Sequence, residues 1–403
     1  MSDTTSIYLD HAASAPLLPG IAELWAATAI KHHANPTGSH LAARHARKAL
    51  DSARFQVAET LGTTPDEIVF TSGGSEANNA AIQGTLRSCN PERVPATTAA
   101  DHNAVLNPVR LSEGVIVGVD SRGIVDFEDL TNKVRCHKQD IALVSVIAVN
   151  NEVGTITPLP KVANIVRKFA PKALLHTDAV QAVNWIDTTT AAADYDLISV
   201  AAHKIGGPVG IGALVVRDGI ELEPLIIGGG QQRGRRAGTP DVASAVAFAA
   251  AIKETVDQRT ESIERTTKLR DLIFDSLTER LGDRVIVSAT GTGGGDNSPY
   301  NEYAKDDRSH IAAGIANVCI EGVQNEALIF LLDTAGIQAS AASSCSSGAQ
   351  SPSHVLAAMG IPDETARGSL RLSLGSATTS SEVERAVDVI VDSVKHLDHY
   401  NGG

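Results

Sequence analysis

The chain has 403 residues, of which 34 are Lys or Arg and 47 are Asp or Glu, so its formal net charge is −13. With 43% hydrophobic and 20% charged residues, it has the composition of a globular protein, and its length allows two or three domains. Direct nucleic-acid binding is not expected, because the chain is acidic and only 3% aromatic. No leader pattern and no membrane-spanning apolar run is evident, so we expect a cytoplasmic protein.

The elements predicted first, between about residues 40 and 260, alternate apolar runs with helical periodicity. This pattern is typical of a mostly parallel sheet covered by helices. A helix is predicted over 42–61, with Gly62 as its C-terminal cap. Strands are predicted at 68–70, 142–149, 173–175, 197–201 and 212–216. Ligands of such sheets bind at the carboxyl ends of the strands, where polar or Gly residues follow each of these runs.

Beyond about residue 257 the pattern changes. The segments there are a charged helix over 256–280, a Gly/Asn/Asp/Ser-rich stretch over 291–309 and a last helix from about 381. We predict a large domain over 15–257 and a smaller α+β domain over 258–403, which the N-terminal segment 1–14 joins. The stretch 291–309 is interpreted as a solvated surface loop, with a partner-binding surface as the alternative.

Two strand ends carry candidate cofactor residues. The strand 197–201 leads into His203 and Lys204, and a desolvated amine at such a position suits a covalent bond to an aldehyde. Asp178 follows the strand at 173–175, and an acid there can keep a pyridine nitrogen protonated, as pyridoxal phosphate requires. Taken singly, these are a surface lysine and a turn residue; together they favour the cofactor.

A phosphate site is predicted where residues 71–76, Thr-Ser-Gly-Gly-Ser-Glu, follow a strand and open a helix over 77–86. The first N–H groups of a helix and the positive end of its dipole favour an anion. An ordinary serine N-cap is the alternative. His102 could stack on a ring and move protons near neutral pH, although an isolated histidine is usually structural.

The four cysteines lie far apart and form no CxxC pair, so neither a disulfide framework nor a resident metal is expected. Cys319 lies in an apolar run and is expected to be buried and inert. Cys345 lies in a run of small polar residues that is typical of a flexible loop. It is the candidate reactive thiol, and it would need a nearby cation or acid/base group to form the thiolate efficiently.

These features resemble the cysteine desulfurases of the NifS/IscS type, which are pyridoxal phosphate enzymes of the aminotransferase-like fold type I. The matching blocks are 8–16, 35–40, 149–154, 228–239, the Cys345 loop with 352–356, and 371–375. The resemblance implies a large domain with a mostly parallel seven-stranded sheet between helices, plus the smaller α+β domain. The implied activity converts L-cysteine to L-alanine, leaves a persulfide on Cys345 and passes the sulfur to an acceptor protein.

By position, the resemblance implies that Lys204 binds pyridoxal phosphate covalently and that Asp178 pairs with the ring nitrogen. His102 would stack on the ring as an acid/base group, and Gln181 and Asn151 would contact the phenolic oxygen. The implied phosphate ligands are Ser75, the Gly74 backbone, His203 and, from the second subunit of a homodimer, Thr239. The implied substrate-binding residues are Asn35, Asn151 and Arg371, of which Arg371 would bind the carboxylate as a bidentate pair.

The resemblance leaves the acceptor open between an iron–sulfur scaffold and a tRNA- or DNA-thiolating enzyme. Cys345 is also a candidate transient ligand of an iron–sulfur cluster. Two residues depart from the family pattern: Ala201 stands where Ser is usual, which predicts weaker cofactor binding, and Gln232 replaces Glu. The alternatives are a related lyase, such as a selenocysteine lyase, and a cofactor-binding scaffold for sulfur acceptors without turnover.

Overall fold

The structure is a computed structural model that describes residues 6–137, 140–291, 307–341 and 353–401. The helices are α1 (Ile21–Lys31), α2 (Leu41–Thr60), α3 (Gly74–Ser88), α4 (Asn103–Leu111), α5 (Phe127–Cys136), α6 (Leu159–Phe169), α7 (Thr188–Ala191), α8 (Val242–Leu281), α9 (Asn325–Thr334), α10 (His354–Ala358), α11 (Asp363–Ala366) and α12 (Ser380–Asn401). The strands are β1 (Ile7–Tyr8), β2 (Ile68–Thr71), β3 (Val94–Thr98), β4 (Val115–Val117), β5 (Ile141–Ile147), β6 (Leu174–Asp178), β7 (Leu197–Ala201), β8 (Gly212–Val216), β9 (Val285–Val287), β10 (Ile315–Ile320), β11 (Ile337–Gln338) and β12 (Ser369–Ser373). Within the described ranges, none of the helices has the length and apolar character needed to cross a bilayer.

A seven-stranded sheet in the order β2-β8-β7-β6-β5-β3-β4 forms the centre of the molecule. Only β8 runs antiparallel to its neighbours; the other pairings are parallel. Strands β5 and β7 are buried along their whole length, as expected for strands covered on both faces. The predicted fold class, α/β with a mostly parallel seven-stranded sheet, is confirmed.

The sequence missed two strands of this sheet, β3 and β4. Strand β3 reads Val-Pro-Ala-Thr-Thr, so it lacks a continuous apolar run, and its pairing with β5 shifts register between Val94 and Pro95. That irregularity accommodates a proline, which has no N–H for the ladder. Strand β4 has only three residues and lies at the sheet edge. Neither strand carries the pattern that identified the other five.

The predicted charged helix begins 14 residues earlier than expected, because α8 extends from Val242 to Leu281. Asp241 caps it, accepting a hydrogen bond from the Ser244 backbone N–H at 3.0 Å. The first part of α8 packs into the core beneath the large sheet through Ala245, Phe248 and Ile252. The last part packs into a second core through Ile273, Phe274 and Leu277. The predicted domain boundary after residue 257 therefore falls inside one continuous helix and stays a prediction.

The second core covers a three-stranded antiparallel sheet in the order β12-β10-β9. The N-terminal segment reaches this part of the fold, because β1 pairs in parallel with β11 and Asp10 forms a bridge with Ser373 on β12. Ser340 forms another bridge with Arg371 on the same strand. Strand β12 is thus the place where the two ends of the chain meet.

Candidate active site

Asp178 is the last residue of β6 and lies at the carboxyl edge of the large sheet, 3% exposed. Its carboxylate accepts hydrogen bonds from Asn78 Nδ2 at 2.6 Å and from the Val180 backbone N–H at 3.0 Å. Burial raises the pKa of Asp178, and the charges of His102 and Lys204 act in the opposite direction. The three predicted cofactor residues therefore lie close enough to interact electrostatically.

Lys204 lies in the short 3₁₀ helix Ala202–Lys204 that follows β7. Its Nζ donates to the backbone oxygens of Ala12 and Ala13 at 2.5 and 2.7 Å. Gln181 Nε2 donates to the same Ala12 oxygen at 2.7 Å. The N-terminal segment thus lies against the predicted cofactor lysine, and Gln181 meets that lysine at one shared carbonyl.

His203 and His102 contribute two imidazoles with different surroundings. Burial, together with the positive charge of Lys204, lowers the pKa of His203 to about 4. His102 is half-buried and caps α4, accepting a hydrogen bond at Nδ1 from the Ala104 backbone N–H at 3.1 Å. Because Nδ1 accepts, the neutral ring carries its proton on Nε2. His102 can therefore donate a hydrogen bond from Nε2.

Helix α3 starts at Gly74 without any side-chain cap, since its N-cap residue is Gly73 at φ +149°. The predicted alternative, an ordinary serine N-cap, is therefore wrong, and Ser75 instead lies exposed in the first turn. A Cβ on Gly74 would lie 2.5 Å from Val180 Cγ2 and 3.7 Å from the Cβ of Ala201. Only glycine fits here, and the uncapped N–H groups of α3 open beside the end of β7.

Arg371 on β12 forms a second group with the turn after β5. Its side chain is 4% exposed; Nη1 donates to the Asn151 backbone oxygen at 2.9 Å and Nη2 pairs with Asp10 Oδ1 at 2.7 Å. Its Nε is buried and has no hydrogen-bond partner among the described residues. A buried guanidinium N–H without an acceptor is rare, and a bound carboxylate would supply one.

Two predicted site residues are not brought into these groups, and a third lies outside the described residues. Asn35 is exposed and its Oδ1 accepts from the Thr37 backbone N–H and hydroxyl at 3.0 and 2.8 Å. Thr239 is also exposed, on a loop that Arg236 ties to Glu76 of α3 at 3.0 Å. Cys345 lies in 342–352, outside the described residues, as does most of the predicted loop 291–309.

Cys319 behaves as the sequence predicts. It is fully buried on β10, and burial raises its pKa to about 11, so at neutral pH it holds its proton. A thiol in that state is a poor nucleophile. The prediction that Cys319 is buried is confirmed, and its inertness stays a prediction.

Several residues of the site carried no signal that could be read from the sequence. Asn78 binds Asp178 from one helical turn beyond Gly74, and Asp10 pairs with Arg371 from inside the matching block 8–16. Asp101, next to His102, is fully buried, and burial raises its pKa to about 7, with the charge of Asp178 adding to the effect. Each residue became recognisable only through its spatial partner.

The two departures from the family pattern have different consequences. Ala201 borders Gly74, so a hydroxyl is missing beside the start of α3. Gln232 donates from Nε2 to the Phe70 backbone oxygen at 2.6 Å and accepts at Oε1 from the Phe70 N–H at 2.7 Å. A glutamate at neutral pH has no donor and could make only the second bond. The Gln232 side chain thus makes both backbone hydrogen bonds that a neighbouring strand would make with Phe70 of the edge strand β2.

These donors and acceptors fit a phosphorylated pyridine aldehyde. The uncapped start of α3 suits a phosphate, the buried Asp178 carboxylate suits a protonated ring nitrogen, and the Lys204 amine suits the aldehyde. The buried Oδ1 of Asn78 has no partner among the described residues and lies next to the same carboxylate. The residues present therefore fit this group.

Comparisons with known proteins point to one family. The model of the aminotransferase class-V family matches residues 7–386. An IscS-like cysteine desulfurase of Mycobacterium tuberculosis is 38% identical over 397 residues, which cover 96% of each chain. A solved NifS-like protein superposes with a TM-score of 0.86 at 30% identity, covering 97% of this chain and 100% of the other. The structure of SspA in complex with cysteine has a TM-score of 0.74 at 29% identity, covering 93% and 100%.

Proposed function

Because the chain belongs to the aminotransferase class-V family, among the IscS- and NifS-like cysteine desulfurases, we propose that it converts L-cysteine to L-alanine and transfers the sulfur to Cys345. Two groups of residues, one suited to the cofactor and one to a carboxylate, support this proposal. Asp178 and Lys204 lie together at one sheet edge, and Arg371 presents a buried N–H that has no acceptor among the described residues. An amino-acid substrate needs both a cofactor site and a carboxylate site.

Family members depend on pyridoxal phosphate, which, when bound, supplies an electron sink for the negative charge that develops on the substrate carbon. In this chain Lys204 would hold the aldehyde carbon and Asp178 the ring nitrogen. The start of α3, with Ser75 and His203, would hold the phosphate, joined by Thr239 of a second subunit. Gln181 and Asn151 would contact the phenolic oxygen.

The chain's own groups then orient the substrate and move protons. Arg371 would bind the substrate carboxylate through Nε and one Nη, while Asn151 and Asp10 fix the guanidinium from the other side. The Lys204 amine would also serve as the base that takes a proton from the substrate carbon. His102 would stack on the ring and could donate a proton from Nε2. Asn35 is proposed as a further substrate contact.

The sulfur step is balanced without an added oxidant or reductant. The Cys345 thiolate attacks the substrate sulfur, so that an S–S bond forms and the Cβ–S bond breaks. The electron pair of the broken bond stays with carbon, which takes a proton and becomes the methyl group of alanine. The enzyme thiol is oxidised to a persulfide and the substrate carbon is reduced.

We further propose that the enzyme works as a cytoplasmic homodimer that passes its sulfur to an acceptor protein. The exposed Thr239 supports a site shared between subunits, because one chain alone leaves it without a role. The acceptor would be an iron–sulfur scaffold or a tRNA- or DNA-thiolating enzyme. An acceptor must reach the persulfide, so it should dock near 342–352.

The deciding experiment measures alanine and sulfide released from L-cysteine with added pyridoxal phosphate and a reductant. Wild type should form alanine, and Cys345→Ala should not. Cys136→Ala is the matched control, because Cys136 is exposed on α5, outside both groups. Full activity of Cys345→Ala would favour a lyase such as a selenocysteine lyase. A cofactor-loaded wild type without turnover would favour the scaffold.

A further inference from the structure

Glu152 is a buried acid that the proposed chemistry does not use. It follows Asn151 in the turn after β5 and is 6% exposed. Hydrogen bonds hold the turn: Asn150 Oδ1 accepts from the N–H groups of Glu152 and Val153 at 2.9 and 3.0 Å, and Asn150 Nδ2 donates to the Ala100 oxygen at 2.9 Å. A carboxyl group placed this firmly inside the protein requires a partner.

That partner is Ser353, whose hydroxyl donates to Glu152 Oε2 across 201 residues of sequence. The same Ser353 oxygen caps α10, accepting from the N–H groups of Val355 and Leu356 at 3.1 and 3.3 Å. The next residue, His354, bonds through Nε2 to the Asp101 backbone oxygen at 2.9 Å. Ser353 is therefore tied both to α10 and to the loops at the edge of the large sheet.

Ser353 is the first described residue after 342–352, and Ser340 lies just before that segment. Ser340 is also held, since its backbone pairs with Arg371 through hydrogen bonds of 3.2 and 2.8 Å. The guanidinium of Arg371 in turn binds the Asn151 oxygen, one residue from Glu152. Both flanks of the segment that contains Cys345 are thus joined to the predicted carboxylate site.

We propose that Glu152 is a positioning residue for sulfur transfer: by holding Ser353, it fixes where the chain returns from 342–352 relative to Arg371. The proposal rests on the function assigned above to Cys345. A displacement of about 1 Å from the productive position can slow a reaction about 10²-fold, so the position of Ser353, where the described chain resumes, bears on the sulfur step. Releasing one end should slow the sulfur step and leave substrate binding unchanged.

Burial gives independent support. It raises the pKa of Glu152 to about 7, although the Ser353 hydrogen bond and the charge of Arg371 act in the opposite direction. A glutamine or an apolar side chain would avoid the cost of desolvating a carboxylate. A carboxylate is the stronger acceptor for the Ser353 hydroxyl, which is the role that the geometry assigns to it.

The test is single-turnover persulfide formation on the cofactor-loaded enzyme with L-cysteine, followed by mass spectrometry of Cys345. Glu152→Ala should slow this step about 10- to 100-fold. Cofactor absorbance and L-cysteine affinity, the latter measured in a Cys345→Ala background, should stay within about twofold. Glu152→Gln keeps an acceptor oxygen and should restore most of the rate.

Two further variants separate positioning from general destabilisation. Ser353→Ala should reproduce Glu152→Ala, and the double variant should be no slower than either single variant, because both remove one interaction. Glu67→Ala is the matched control, because Glu67 is also a buried acid that accepts a hydrogen bond from a hydroxyl, that of Thr63, and it accepts another from the Thr64 N–H. It precedes β2, at the amino end of that strand and away from the cofactor residues. The Glu67→Ala variant should lower the melting temperature and leave the persulfide rate unchanged.

The proposal is overturned if Glu152→Ala forms persulfide at the wild-type rate, or if it loses substrate affinity as much as rate. It is also overturned if the Glu152→Ala and Ser353→Ala losses in persulfide rate multiply in the double variant. A cofactor-loaded wild type that forms no persulfide would instead refute the proposed function, and the role of Glu152 with it. The wild-type arm therefore distinguishes the two failures.

Discussion

The two parts of the site are built in different ways. The cofactor edge, formed by Asp178, Lys204, His203 and the start of α3, comes from strand ends and a helix start of one sheet. The carboxylate corner, formed by Arg371, Asp10 and the Asn151 turn, joins three segments, and Arg371 lies 220 residues from Asn151 and 361 from Asp10. One part depends on local structure, and the other depends on how the chain ends fold back.

The two parts also have different expected roles: the cofactor edge would carry out the reaction and the carboxylate corner would bind the substrate. At the cofactor edge, buried groups act on one another's charge, as the effects of His102 and Lys204 on Asp178 demonstrate. At the corner, one guanidinium is held by an acid and a carbonyl and keeps one N–H available. Damage to the edge should therefore abolish turnover, whereas damage to the corner should weaken substrate binding.

The largest effect is expected from Lys204→Ala, which removes both the covalent link to the cofactor and the amine that moves the proton. Turnover should fall by about 10³-fold or more, because proton transfer by a positioned group alone contributes about 10²–10⁴-fold. Borohydride reduction followed by mass spectrometry should detect cofactor bound to wild type and none bound to the variant. A cofactor adduct on another residue would contradict the assignment of Lys204.

A smaller effect is expected from Arg371→Lys at the corner. An ammonium keeps the charge but cannot form the bidentate pair, and hydrogen bonds to charged groups are worth about 1.5–3 kcal/mol. The ratio kcat/KM for L-cysteine should therefore fall about 10- to 150-fold, mainly through KM, while cofactor absorbance stays unchanged. If the variant lost bound cofactor to the same extent as kcat/KM, Arg371 would not be a substrate-binding residue separate from the cofactor edge.

The smallest effect is expected on the free energy of unfolding, through a buried histidine in the strand that ends at Asp178. His176 on β6 is fully buried between the Ser145 and Ser199 hydroxyls, at 2.7 and 2.9 Å, and burial lowers its pKa to about 3. The unfolded chain binds a proton below about pH 6.5, and the folded chain binds it only near pH 3. Stability from this group is therefore present above pH 6.5 and lost as the pH falls.

Denaturant unfolding at several pH values checks this prediction. Between pH 6.5 and 3, His176 should add a slope of up to about 1.4 kcal/mol per pH unit to the free energy of unfolding. His176→Gln should lack that contribution, although it should be less stable than wild type at pH 7 through imperfect hydrogen bonding. Identical slopes in both proteins would show that the imidazole is not held neutral by burial.

The elements recovered from the sequence are those with strong local patterns. Strand β7 and its following His203 and Lys204 were predicted at the observed bounds, because an apolar run ends abruptly at polar and glycine residues. Helix α2 ends at Thr60, and Gly62 adopts φ +63°, a conformation that favours glycine. Strand β3 was missed because Pro95 and two threonines interrupt its pattern.

By itself, the sequence determined the α/β class, the strand ends that carry Asp178 and Lys204, and the family, because each depends on short runs of neighbouring residues. Only the tertiary structure decided the partners: Asp10 with Arg371, Asn78 with Asp178, and Glu152 with Ser353. Polar residues distant in sequence show no common periodicity. Burial selects their pairing, since a polar group removed from water needs a hydrogen-bond partner, which only the fold brings near.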